Sequence, residues 1–264
     1  VVIGYGSIRT ADVTSAVVSV KPESYTQGSV RDIGQLIQGK VAGLIINTTS
    51  GNPSGSSSIR LRGNTTLHGT STNPLILIDG VPGDFNTVSP DDIESIDVLK
   101  DGSAAAIYGT RGTNGVIIIT TKRAHANIRN HVEYSHYLGT QSIRKKTDML
   151  DADDYRRLIA EGAIGASHDY GGNTNWLDEI SRAPLIQNHN LTIRGGNQET
   201  NYLLSLMYNN SEGIFKKSYR ERLSARADVN HSMFDGVVQL NVGILSRNDN
   251  SSSFSNNIFR LVNQ

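Results

Sequence analysis

The residues able to carry chemistry are dispersed through this sequence, and none of their spacings builds a reactive centre. Gly4-x-Gly6 lacks both the third glycine of a dinucleotide fingerprint and a following βαβ unit. Lys217-Ser218 has no correctly spaced glycines before it, so no phosphate-cradling P-loop forms. His131 and His136 are five apart, so on a strand they face opposite ways and cannot share a metal. There is no cysteine, which excludes disulfides, Cys-ligated zinc, iron–sulfur clusters and thiol nucleophiles. Asp91, Asp92, Glu94 and Asp97 form an acidic cluster that reads as the solvated start of a strand. Asp151, Asp153 and Asp154 suit the first turn of a helix and lack the Gly and Glu spacing of a calcium loop. No serine sits in a nucleophile elbow. The expectation is a protein that is not an enzyme and takes no metal or cofactor.

Composition narrows the class. Lys+Arg and Asp+Glu both number 25, so the net charge is zero and the basic excess of a nucleic-acid binder is missing. With 26 glycines, 6 prolines and many Asn, Ser and Thr, the chain leans towards turn-rich β structure. It has no run of ~18 apolar residues that would make a transmembrane helix. That leaves a membrane β-barrel open, because barrel strands carry a much weaker signal.

The elements fall into two styles. Up to about residue 123, short apolar strands alternate with glycine-rich turns. Ser29–Gly39 reads as an amphipathic helix with Ser29 as N-cap, Asp32 in a capping-box position, and Ile33, Leu36 and Ile37 on one face. Strands follow at 44–46, 59–62, 75–78, 93–99 and 116–120, with a short helix at 103–108. From about residue 128 the strands lengthen and alternate strictly. Tyr202, Leu204, Leu206 and Tyr208 interleave with Asn201, Ser205 and Asn209. Leu223, Ala225, Ala227 and Val229 interleave with Arg222, Ser224, Arg226 and Asp228. Such alternation gives each class its own face but does not say which face meets water. A soluble half-buried sheet and a membrane barrel fit equally. Strand lengths near the ~9–11 residues that cross a bilayer tilt the reading towards the barrel. So do Tyr202, Tyr208 and Tyr219 at or near strand ends, where an interfacial girdle belongs. Leu150–Ile159 has helical spacing and reads as a loop insertion.

A resemblance sharpens this picture. Gly39-Lys40-Val41-Ala42-Gly43-Leu44, Ile59-Arg60-Leu61-Arg62-Gly63 and Pro74-Leu75-Ile76-Leu77-Ile78-Asp79-Gly80-Val81-Pro82 appear in order. They continue into Asp92–Gly109 and Arg111–Lys122. Together these runs are similar to the plug of SusC-type TonB-dependent transporters, with Gly102 departing from the family's more usual alanine. The resemblance implies an α+β plug domain followed by antiparallel strands of an incomplete transmembrane β-barrel. It divides the chain into an N-terminal segment at or beside the TonB box (1–12), the plug (13–123) and the first barrel strands (124–264), with the helical insertion near 150–162. The expected home is the outer membrane of a Gram-negative bacterium. The expected role is TonB-dependent import of a nutrient, a glycan oligosaccharide before an oligopeptide, with the plug gating the barrel. A surface receptor or adhesin that binds without transport is the alternative.

Site residues follow from the same resemblance. Val1, Val2, Ile3, Gly4, Tyr5 and Gly6 are expected to meet TonB as an extended strand. Asn64, His68, Asp84, Phe85 and Asn86 are expected to meet substrate from the plug's outer loops. Arg60, Arg62, Lys100, Arg111 and Lys122 are expected to pair with acids of the barrel lumen. Expected partners are TonB, a SusD-like surface lipoprotein, outer-membrane lipid and the remaining barrel segment of the same polypeptide. About five long strands cannot close around such a plug, so the barrel is expected to be incomplete. No aromatic platform for a sugar is evident in either half.

Overall fold

A computed structural model describes residues 2–3, 6–7, 17–25, 33–48, 51–55, 57–61, 73–100, 108–123, 129–144, 150–165, 169 and 171–253. Ser29, Asp32, Arg62, Asn64, His68 and the 103–107 stretch lie outside them. No helix among the described residues is long and apolar enough to cross a membrane.

The first strands are β1 (Val2–Ile3) and β2 (Gly6–Ser7), paired antiparallel in a two-residue hairpin. The extended N-terminal strand expected from the sequence is therefore already paired on one side. Next come β3 (Val17–Val20), helix α1 (Ile33–Ile37), β4 (Leu44–Thr48) and β5 (Ser57–Leu61). They are followed by β6 (Leu75–Ile78), β7 (Val81–Pro82), β8 (Ile93–Leu99) and β9 (Val116–Thr121). One five-stranded sheet runs β3-β8-β9-β6-β7, and β4 and β5 pair as a separate ribbon. Only the β6–β9 pairing in that sheet is parallel.

The apolar run Val116–Ile119 is buried on both faces because β9 is central. On one face Ile117, Ile119, Ile96 and Val98 pack with Ile33, Leu36 and Ile37 of α1, as the helical spacing requires. On the other, Val116 and Ile118 pack with Leu77 and Leu99. The β6–β7 turn places Asp79 and Gly80 at φ 49° and 87°, the paired positive values of a tight hairpin turn. Asp79 is held there because its carboxylate accepts the Thr121 N–H at 3.0 Å and the Thr121 hydroxyl at 2.5 Å. Gly115 has φ +90°, and a Cβ there would overlap Leu61 and stand 3.1 Å from the Leu99 carbonyl oxygen. Only glycine fits that approach of β9 to the β4–β5 ribbon.

The second half is one antiparallel sheet in sequence order, from β10 (His131–Thr140) and β11 (Leu185–Gly196) to β12 (Thr200–Glu212), β13 (Tyr219–Met233) and β14 (Val238–Ser252). Its outer edges, on β10 and β14, have no strand partner among the described residues. Short turns join β11 to β12 and β13 to β14 at one end. The long β10–β11 connection lies at the other end and carries α2 (Ala152–Ala160) and α3 (Trp176–Ile180). Asp151 caps α2 by accepting the Asp154 N–H at 2.8 Å. The sequence anticipated α2 but not α3.

Burial separates the two readings of the alternation. In a soluble half-buried sheet the apolar set is inside. Here Leu204 is 42 % exposed and Leu206 is exposed with it, whereas the neighbouring Ser205 is 5 % exposed. On β13, Arg220, Arg222 and Ser224 are buried while Leu223 is exposed. The sheet is inside out for water and right for a bilayer, with the polar face turned onto the plug. Tyr134 pairs with Leu191, whereas Val242 of β14 traces through Val229 and Tyr202 to Gly195, four residues further along β11. The apolar belt thus slides along the register, as strands tilted by about 35–45° demand. Tyr202 and Tyr208 bound the belt on β12. Tyr208 is four residues inside the strand end, so the belt rather than the strand sets its place.

Candidate functional site

The functional element that can be built from residues is the seam where the plug docks on the inner face of the sheet. A 3-10 turn, Pro90–Asp92, opens β8, and Ser89 caps it by accepting the Asp91 N–H at 3.3 Å. This turn aims three side chains at the wall. Ser89 Oγ donates to Met207 Sδ at 2.8 Å, and Asp91 Oδ2 accepts from Asn188 Nδ2 at 3.1 Å. Asp92 Oδ1 accepts from Ser205 Oγ at 2.9 Å.

Of the acidic cluster only Glu94 is exposed as a solvated strand start would be; the aspartates are not. Asp92 is only 6 % exposed and Asp97 is buried as well. Wall hydroxyl and amide groups replace water at Asp91 and Asp92. Burial pushes the Asp92 carboxyl above its ordinary value, against the opposing pull of the Ser205 hydrogen bond and the Arg226 charge. Burial, with the nearby Asp97 second, also raises the Tyr25 hydroxyl. Tyr25 Oη and Asp97 Oδ1 are buried with no hydrogen-bond partner among the described residues.

A second group of contacts runs from wall to plug through arginine. Arg226 Nη2 donates to Thr121 Oγ1 at 2.7 Å and to the Lys122 carbonyl at 3.3 Å, while its Nε holds Asp228 at 2.5 Å. Thr121 in turn donates to Asp79, so a hydrogen-bond chain joins the Asp79–Gly80 turn to β13. Arg247 donates to the Asn86 carbonyl and also pairs with Asp249 at 2.9 Å. Asp249 accepts from Arg222 at 2.5 Å. Further along β13, Arg220 reaches the Pro53 carbonyl at 3.4 Å, and Ser54 Oγ reaches the Tyr219 carbonyl at 3.4 Å.

On the five strands of wall described, the polarity runs the other way. The wall supplies the guanidinium groups, and the plug supplies carboxylates and carbonyls. Among the described residues Arg60, Lys100, Arg111 and Lys122 form no ion pair, and Lys122 meets the wall through its backbone. Single-sequence reading could not find Ser205, Asn188 or Arg226, because their partners lie about a hundred residues away.

The expected substrate residues divide. Asp84 and Asn86 form a turn in which Asp84 Oδ1 accepts the Asn86 N–H at 2.7 Å, and both line a pocket of about 170 Å³ with Asn73, Pro74 and Ile76. Phe85 lines the same pocket, and at 5 % exposed it also packs into the plug core, so its ring anchors the loop from within.

The inverted burial and this hydrogen-bonded seam describe a plug seated against a barrel wall, and comparison with known proteins agrees. The TonB-dependent receptor plug domain family matches residues 9–116. The chain is 35% identical over 254 residues to the TonB-dependent receptor SusC of Bacteroides thetaiotaomicron, covering 92% of this chain and 25% of that one. It belongs to the SusC-type TonB-dependent receptors. A second relative, TonB-dependent receptor P26 of Formosa agariphila, is 32% identical across 100% of this chain and 28% of its own length. The chain therefore spans about a quarter of the curated relatives it matches. Among solved structures, the RagAB peptide importer in its open-open state superposes with a TM-score of 0.82 at 25% identity, over 96% of this chain and 32% of that one. The siderophore receptor PirA of Acinetobacter baumannii shares the fold, with a TM-score of 0.58 at 20% identity, covering 88% of this chain and 31% of that chain. The protein is thus an outer-membrane protein of a Gram-negative bacterium, and these residues make up a plug and a five-stranded part of a barrel.

Proposed function

We propose that the whole protein imports a nutrient across the outer membrane in a TonB-dependent manner, an oligosaccharide before an oligopeptide, with the plug as its gate. The observation that supports this reading most is the seam itself. Its contacts are separate hydrogen bonds on a polar wall, not an interlocked apolar core, so a pull can undo them in turn. In this account TonB takes hold of the segment around Val1–Gly6 by adding a strand to it. The β1–β2 pair has no further strand partner among the described residues, which suits such β-augmentation. Asn64, His68, Asp84, Phe85 and Asn86 remain the plug-loop contacts assigned to substrate. A SusD-like lipoprotein and the rest of the barrel complete the machine. Oligopeptide import is the second reading, favoured by the likeness to the RagAB peptide importer.

Deleting residues 1–6 should abolish uptake of labelled substrate while leaving binding at the cell surface intact. Normal uptake by the deletion strain would contradict the TonB role of this segment, whereas surface binding without any TonB-dependent uptake in wild type would favour the surface-receptor alternative.

A further inference from the structure

The β10–β11 connection lies at the end of the sheet opposite the short turns, which in outer-membrane barrels is the outer side. It contains the chain's single tryptophan, Trp176, 57 % exposed and beyond the strands of the apolar belt, so hydrocarbon does not cover it. Trp176 lines a pocket of about 350 Å³ with Leu150, Asp151, Tyr155, Asp169 and Thr174. That volume lies within the range of small-ligand clefts, about 300–1,000 Å³.

The pocket is held in shape. Arg156 Nε bonds Asp169 Oδ2 at 3.2 Å, and its Nη2 bonds the Gly172 carbonyl at 2.9 Å, fastening the 169–172 turn to α2. Asn175 caps α3 by accepting the Asp178 N–H at 3.3 Å, which fixes Trp176 as the first helical residue. The carboxylates are held by local donors. Asp169 meets the Gly171 N–H at 2.9 Å and the Arg156 guanidinium, and Asp151 meets the positive end of α2. Among the described residues no group of three or more His, Cys, Asp or Glu is placed to hold a metal ion, and both carboxylates retain acceptor lone pairs. No strand edge lines it, so it offers no ladder to an extended peptide. Aromatic faces beside fixed acceptors suit a ligand with an apolar C–H face and hydroxyls at its rim.

We infer that the pocket formed by Leu150, Asp151, Tyr155, Asp169, Thr174 and Trp176 is a surface subsite for a neutral sugar ring. The ring stacks on the aromatic side chains, and Asp151 and Asp169 accept its hydroxyl protons. Such a subsite would supply the aromatic platform that the sequence does not make evident, and it rests on the reading of the protein as an oligosaccharide importer.

The test uses the intact transporter, purified and titrated calorimetrically with neutral gluco-, fructo-, manno- and xylo-oligosaccharides, and with neutral oligopeptides in a parallel arm. Wild type should bind at least one oligosaccharide. Trp176→Ala should weaken that binding about ten-fold, the worth of one aromatic contact. Trp176→Phe, which keeps an aromatic face and carries no risk to a buried core, should restore most of it. Unchanged affinity in Trp176→Ala, or no recovery in Trp176→Phe, would overturn the subsite. Wild type that binds only peptides would overturn it too. Uptake in strains with and without TonB reads the import proposal separately, so loss of the subsite leaves that proposal standing.

Discussion

Replacing Ser205 with alanine should loosen the plug from the wall. Ser205 donates the 2.9 Å hydrogen bond to Asp92, whose carboxyl is buried. Removing the donor to a buried charged acceptor costs about 1.5–3 kcal/mol. That corresponds to roughly 10- to 150-fold more frequent release, at 1.4 kcal/mol per factor of ten. pH should modulate the effect in a defined direction. Burial holds the docked Asp92 carboxyl above the ordinary value of 3.8, which it regains in water once the plug is released. The docked state therefore binds more protons between those two values. Asp92's contribution to docking is complete below about 3.8 and is lost as pH rises through its raised value. The assay is the urea concentration at which the intact transporter opens to ion flow in a planar bilayer, measured across pH. Wild type should open at lower urea as pH rises through this window. Asp92→Asn should flatten that slope, and Ser205→Ala should lower the midpoint most where Asp92 is ionised. A Ser205→Ala midpoint equal to wild type, or an Asp92→Asn slope equal to wild type, would refute the reasoning.

Two further outcomes test the fold. Leu240→Arg, on the outward face of β14, should cost about 2–4 kcal/mol of insertion near the midplane, while Asn241→Arg on the inward face should cost little. Folding titrations into lipid vesicles measure both, and equal costs would contradict the assigned faces. Gly115→Ala forces a side chain into positive φ and against Leu61. It should lower the urea midpoint of plug opening by the equivalent of about 1–2 kcal/mol or more. An unchanged midpoint would contradict the close approach at Gly115.

How much could be read beforehand depended on the range of the interaction. The strands of the plug were legible because Leu75–Ile78 and Val116–Thr121 are apolar runs bounded by turn residues. The alternation at Leu204, Ser205 and Leu206 was equally plain, but periodicity is symmetric between the two faces. Only burial against the plug settled which face is inward. Asp91 and Asp92 looked solvated because charge near a turn is usually solvated, and nothing local announces Asn188 and Ser205 across the lumen. The burial of Phe85 was not legible because its neighbours in sequence are polar. Trp176 and Tyr155 are 21 positions apart and line one pocket in a loop that Arg156 ties back to α2, which nothing local in the sequence announces. Helix α3 escaped notice because its five residues are too few to show a period.

The central claim is that the apolar face of the β10–β14 sheet meets lipid while its polar face meets the plug. These 264 residues contain no cysteine, so nitroxide labels on Leu204→Cys and Ser205→Cys can report the two faces within one strand. In the intact protein reconstituted in lipid, collision broadening by oxygen and by a water-soluble nickel chelate should differ sharply between them. The label at 204 should be open to oxygen and closed to nickel, as in hydrocarbon, and the label at 205 should be shielded from both by the plug. Nickel access at 204, or lipid-like oxygen access at 205, would contradict the account.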